Sequence, residues 1–146
     1  MKYEAESRPW GMYEVLLDSE TTKVKRITVA PGGKLSYQYH NKRAEVWTCI
    51  EGKLSVILDD VLHELFSGDS LTIPQGAKHR AFNDTMELAQ FIEVQTGTYF
   101  GEDDIVRVED DYGRLEFDHL KDHVTMKEEQ VRNKTDWWKR MRDEKN

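Results

Sequence analysis

Between Tyr13 and Gln95 the chain runs as short segments rich in Val, Ile, Leu, Thr and aromatic residues, each cut off by Gly, Pro, Asn or Asp. Such punctuation predicts strands at Tyr13–Leu17, Val24–Val29, Leu35–His40, Ala44–Ile50, Leu54–Leu58, Val61–Phe66, Ser70–Ile73, Lys78–Phe82 and Glu87–Gln95. Asp59-Asp60 reads as a hairpin turn, and Pro31-Gly32-Gly33, Glu51-Gly52, Ser67-Gly68-Asp69 and Pro74-Gln75-Gly76 mark further turns. No helical period competes with them. Many short strands without crossover helices predict an all-β antiparallel sandwich or barrel rather than a parallel sheet. At 146 residues there is room for one such domain, and the 10% of aromatic residues spread along the chain supplies a core, against disorder.

The pattern changes near the C-terminus, dividing the chain into a barrel over 1–116 and a helical extension over 117–146. Thr125-Met126-Lys127-Glu128 fits a capping box and predicts a helix start. The Trp137-Trp138 pair then anchors that helix on the barrel or on a partner subunit. Acids outnumber bases 28 to 21, for a net charge of −7, and six acids face one arginine between Glu102 and Asp111. A surface of that sign argues against nucleic acid, which needs a basic face. Cys49 is the single cysteine, so no internal disulfide forms, and the N-terminus carries no apolar leader. A cytoplasmic protein without a membrane span is expected.

Gln38 and His40 lie two apart on one predicted strand and therefore leave the same face. On the next strand Glu45 shares a face with Trp47 and Cys49, an orientation that turns the carboxylate inward, where it needs a counter-charge. His79 opens a later strand. Two imidazoles, a carboxylate and an amide oxygen suit a divalent transition metal. His63, His119 and His123 lie outside this set and read as surface or hydrogen-bonded residues.

Gly32, five residues, Gln38, one, His40, four, Glu45, six, Gly52 is a framework that resembles the first motif of the cupin superfamily, with Gln in place of its first His. Gly68, five residues, Pro74, one, Gly76, two, His79, three, Asn83 resembles the second cupin motif. The resemblance implies a double-stranded β-helix with metal held by Gln38, His40, Glu45 and His79. The runs Arg8-Pro9-Trp10-Gly11, Ser36 to Trp47, Ile92 to Arg107 and Glu109 to Arg114 are similar to the type II mannose-6-phosphate isomerase family. In that family the cupin commonly ends a longer chain that also transfers guanylyl groups. No Gly-rich phosphate loop is present here, which argues against guanylyl transfer by these residues.

The resemblance implies isomerisation of mannose 6-phosphate to fructose 6-phosphate through an enediol, with zinc foremost and Fe, Mn, Co or Ni as alternatives. Glu93 is then the expected base and Arg107, in the run Asp-Asp-Ile-Val-Arg, the charge stabiliser, both catalytic. Lys34, Arg43 and Arg80 flank the metal motifs and are expected to bind the phosphosugar's phosphate. Val46 stands where the family usually has His, and Tyr37 and Tyr39 replace aliphatic residues. Two other functions fit the same residues: a non-catalytic cupin that binds a sugar or sugar nucleotide for polysaccharide synthesis, and an Fe(II) dioxygenase built on His40, Glu45 and His79. A homodimer is expected from the resemblance.

Overall fold

The computed structural model describes residues 4–110. The helix expected from Thr125, with Trp137, Trp138, His119, His123 and Arg114, lies outside them. The described residues contain strands only: β1 (Glu4–Arg8), β2 (Gly11–Asp18), β3 (Thr22–Val29), β4 (Tyr37–Tyr39), β5 (Arg43–Glu51), β6 (Lys53–Leu58), β7 (Val61–Phe66), β8 (Ser70–Ile73), β9 (His79–Phe82), β10 (Ala89–Gly97) and β11 (Val106–Glu109). All pair antiparallel, in a six-stranded sheet ordered β1-β2-β3-β10-β5-β8 and a five-stranded sheet ordered β11-β4-β9-β6-β7. This is the double-stranded β-helix. No helix among the described residues is long and apolar enough to cross a membrane.

Alternation decides what faces the interior. On β5 Arg43, Glu45, Trp47 and Cys49 are buried while Val46 and Ile50 are exposed, and on β10 Ala89, Phe91, Glu93 and Gln95 are buried. The two strands pair Phe91 with Cys49, Glu93 with Trp47 and Gln95 with Glu45, and β3 sets Ile27 opposite Phe91 and Lys25 opposite Glu93. The inner face thus grades along its strands. At one end Ile27, Val29, Cys49, Leu54, Val56 and Phe91 form a fully apolar core, and at the other Lys25, Arg43, Glu45, Glu93 and Gln95 bring polar groups into the same interior. Trp47 stands at the boundary, its ring 4.7 Å from Phe91 on the apolar side and 5.4 Å from His79 on the polar side.

The hairpin expected at Asp59-Asp60 is present, with both residues left-handed at φ 45° and 69°, the pairing that a two-residue type I′ turn requires. Its tip is fastened to the neighbouring strands: Asp59 Oδ1 accepts from the Lys78 amide at 2.9 Å, and Asp60 Oδ1 from the Tyr37 hydroxyl at 2.7 Å. Two strands escape the sequence pattern. β1 is exposed along most of its length and carries no apolar alternation, while β11 alternates over only four residues within the acidic stretch, with Val106 and Val108 exposed; each is held by backbone pairing to β2 or β4. The segment expected to begin at Glu87 starts instead at Ala89, because Asn83 Nδ2 donates to the Glu87 and Val29 carbonyls and holds Glu87 in the preceding turn.

Gly52 and Gly68 both take left-handed φ angles, 73° and 96°, at the ends of the two motifs. A Cβ on Gly52 would lie 2.2 Å from the Leu88 carbonyl oxygen, whereas one on Gly68 would meet nothing within 4 Å. Urea unfolding should therefore separate them: Gly68→Ala is expected to cost about 1 kcal/mol of backbone strain and Gly52→Ala at least about 3 kcal/mol. Equal losses would contradict the close approach at Gly52.

Candidate metal centre and anion cavity

His40, just past β4, Glu45 on β5 and His79 at the start of β9 converge in the interior, each 2% exposed or less, with candidate ligand atoms all within 4.8 Å of one another. Each ring is oriented by a backbone carbonyl. His40 Nδ1 lies 2.8 Å from the Asp104 carbonyl and His79 Nδ1 2.9 Å from that of Ala77. A carbonyl only accepts, so both Nδ1 atoms carry the proton and both Nε2 atoms offer a lone pair. Burial pushes the His79 imidazole down, against the pull of Glu45, which keeps it neutral. Its Nε2 has no hydrogen bond among the described residues.

Burial alone would favour the protonated form of Glu45, yet its carboxyl is held well below the usual range, foremost by a hydrogen bond from Glu93. Trp47 Nε1 donates to its Oε1 at 2.8 Å and Arg43 Nε to its Oε2 at 3.0 Å. Glu93 moves the other way. Burial and the negative charge of Glu45 push it well above the usual range, and it donates to Glu45. Gln95 Nε2 in turn donates to Glu93 Oε2 at 3.1 Å.

These donors fit a divalent cation. His40 Nε2 and Glu45 Oε2 are two acceptors 3.1 Å apart, an arrangement that needs positive charge beside it. Here the Arg43 guanidinium supplies it, with Nη2 donating to His40 Nε2 at 3.2 Å as well as Nε to Glu45. Together with the unpartnered His79 Nε2, the set is two neutral imidazoles and one ionised carboxylate. His40, Glu45 and His79 are the residues that would hold the ion, and it would supply Lewis-acid charge to oxygen ligands.

Arg43 also forms part of the wall of a cavity of about 70 Å³, with Arg8, Lys25 and Arg107 as its other cations and Glu93 and Glu102 as its acids. Lys25 Nζ, buried, donates to Glu102 Oε1 at 2.7 Å and lies 4.3 Å above the Tyr13 ring. Of the residues singled out from the sequence, Gln38 faces His79 across the β4–β9 pair and also lines the cavity, its Oε1 accepting from Ser36 Oγ at 2.9 Å. Arg107 lies opposite Gln38 on β11.

Lys34 and Arg80 do not line that cavity. Lys34 Nζ sits 5.8 Å from the Phe82 ring centroid. Arg80, next to His79, leaves the opposite face of β9, where Nε donates to the Leu35 carbonyl at 2.8 Å and Nη2 to the Glu109 carbonyl at 3.3 Å. Strand alternation turns it away from this cavity, and it ties β9 to β11.

Three residues of the site were not singled out as such from the sequence. Lys25 had a signal, because it shares a strand face with Ile27 and Val29, as Glu45 does with Trp47 and Cys49. Arg8 lay within a motif without a role. Asp104 had none: it receives His40 Nδ1 on its carbonyl while its carboxylate accepts from the amides of Asn41 at 3.1 Å and Lys42 at 2.9 Å, a clasp spanning more than sixty residues of chain. His40→Ala and His79→Ala are each expected to abolish binding of one equivalent of zinc, measured by elemental analysis after dialysis. Asp104→Ala, which removes the clasp on Asn41 and Lys42 but keeps the carbonyl that meets His40 Nδ1, should retain the ion at full stoichiometry. Zinc retained at full stoichiometry by both histidine variants would contradict the ligand set.

Comparison with known proteins adds the family. The model described as "Mannose-6-phosphate isomerase C-terminal" matches residues 2–110. Among curated relatives, the xanthan biosynthesis protein XanB of Xanthomonas campestris pv. campestris (strain B100) is 47% identical over 107 residues, 73% of this chain and 23% of that protein. The alginate biosynthesis protein AlgA of Pseudomonas aeruginosa is 45% identical over 73% of this chain and 22% of its own length. The mannose-1-phosphate guanylyltransferase ManC of Salmonella typhimurium is 44% identical over 74% of this chain and 22% of its own. The chain spans less than a quarter of the length of these relatives. A double-stranded β-helix protein of Klebsiella pneumoniae superposes with a TM-score of 0.58 at 23% identity, over 66% of this chain and 77% of that one, a likeness of fold. These names correct the expected activity: the relatives are named for guanylyl transfer and for xanthan and alginate biosynthesis, so the mannose 6-phosphate isomerase reading is withdrawn. By its family match and its fold, the chain belongs to the Mannose-6-phosphate isomerase C-terminal family of cupins.

Proposed function

We propose that this chain is a non-catalytic cupin that binds a phosphorylated sugar or sugar nucleotide in the service of polysaccharide synthesis. The observation that carries the proposal is the composition of the cavity, in which four cationic side chains meet two acids. Glu93 is held in its neutral form by burial and by Glu45, and the charge of Glu102 is engaged by Lys25. Lys25 pairs with Glu102, Arg8 with Glu6 and Arg43 with Glu45, so the cations gathered here, in a protein whose overall charge is −7, have acidic partners that an anionic group would exchange for its own oxygens.

The relatives favour binding over isomerisation, since their names give guanylyl transfer and the biosynthesis of xanthan and alginate. The metal in this reading is zinc, held by His40, Glu45 and His79 with Gln38 as a neutral oxygen donor, for a site charge of about +1 with a divalent ion. The substrate class follows the relatives named for mannose 1-phosphate guanylyl transfer and for the xanthan and alginate polymers.

Titration calorimetry with mannose 1-phosphate and with GDP-mannose, followed by proton NMR of the same mixtures, tests the proposal. Saturable binding of at least one ligand with the sugar unchanged is expected. Arg8→Ala should weaken that binding by about 10-fold or more, the loss of one charge-assisted hydrogen bond. Absence of binding by both ligands, or conversion of the sugar, would overturn it.

A further inference from the structure

Arg43 belongs to both halves of the site. Its Nε and Nη2 donate to Glu45 Oε2 and His40 Nε2, two of the atoms a divalent cation would need, and the same side chain forms part of the cavity wall with Arg8, Lys25 and Arg107. The neutral His40 ring has one lone pair at Nε2, because Nδ1 carries the proton given to Asp104. That lone pair cannot accept from Arg43 and ligate a cation at once. A guanidinium beside a newly bound divalent ion is also repelled by it. The third nitrogen, Nη1, is held among the described residues by the Phe100 carbonyl at 3.4 Å, a weak tether for a side chain with four torsions.

We propose that Arg43 makes cation binding and anion binding cooperative. In the metal-free protein it neutralises Glu45 and donates to the His40 lone pair; when a divalent cation takes those atoms, the guanidinium turns into the cavity and joins Arg8, Lys25 and Arg107 around a phosphoryl group. No covalent bond is made or broken, and the one positive charge changes partners. Thermodynamic linkage requires the effect to be mutual, so the phosphorylated ligand tightens the cation by the factor by which the cation tightens the ligand. The inference rests on the binding function proposed above and adds an order of dependence between the two ligands.

The test is a linkage square measured by calorimetry: mannose 1-phosphate against metal-free and zinc-saturated protein, and zinc against protein with and without saturating mannose 1-phosphate. The expected coupling is about 5- to 150-fold, equal along both edges. In Arg43→Met zinc should bind no more weakly than to the parent protein, and the coupling should fall to within about twofold of unity. Coupling that persists in this variant would assign it to direct contact between metal and phosphate and overturn the role of Arg43. Since Arg43 is buried and its loss threatens folding, a second measurement uses the unaltered protein. The ¹⁵N resonance of Arg43 Nε should shift on zinc binding and shift again with mannose 1-phosphate, and a resonance unmoved by zinc would overturn the proposal. Mannose 1-phosphate binding equally with and without zinc would remove the coupling alone. Failure of both mannose 1-phosphate and GDP-mannose to bind either form would remove the binding function and the coupling together.

Discussion

An ionised carboxylate buried at Glu45 is the constraint around which the polar end of this barrel is arranged. Taking one such charge out of water costs several kcal/mol unless donors and positive charge surround it. Trp47 Nε1, Arg43 Nε and the Glu93 proton supply that surround, and each comes from a strand face that alternation turns inward. The apolar end of the same faces carries the stability of the fold. Trp47 joins the two ends, packing on Phe91 while giving its N–H to the carboxylate.

Two neighbouring carboxyl groups in one dry interior cannot both ionise without large cost, and the environment has separated them. Glu45 lies beside Arg43 and keeps its charge; Glu93, on β10 at the cavity wall beside Trp47 and Gln95, is pushed toward its protonated form. This division of labour makes one group a ligand and the other its hydrogen-bond donor. It also explains why a residue that resemblance casts as a base has a supporting part in the binding site proposed here.

Much of the fold was legible in the sequence because strand alternation is a local property. Glu45, Trp47 and Cys49 share a face as their spacing required, and the Asp59-Asp60 turn needed only its two residues. Position along the strand decides what the residues beside the ligands do. Arg43, two before Glu45 on β5, shares its buried face. Arg80 stands one residue from a ligand and for that reason points away from it. What no local pattern contains is the contact between Asp104 and the 40–42 turn, since it depends on where the chain returns after β10. The activity was legible only to the level of the family, because a cupin's spacing records ligand geometry and not what the bound ion and cavity are used for.

The claim on which the rest stands is that His40, Glu45 and His79 form one divalent cation site within the barrel. X-ray absorption spectroscopy at the zinc edge of protein loaded with one equivalent of zinc tests it most directly. The account predicts a first shell of nitrogen and oxygen at about 2.0–2.2 Å with the outer-shell scattering of two imidazole rings. A spectrum with scattering from no imidazole, or from a thiolate sulfur at about 2.3 Å, would contradict it.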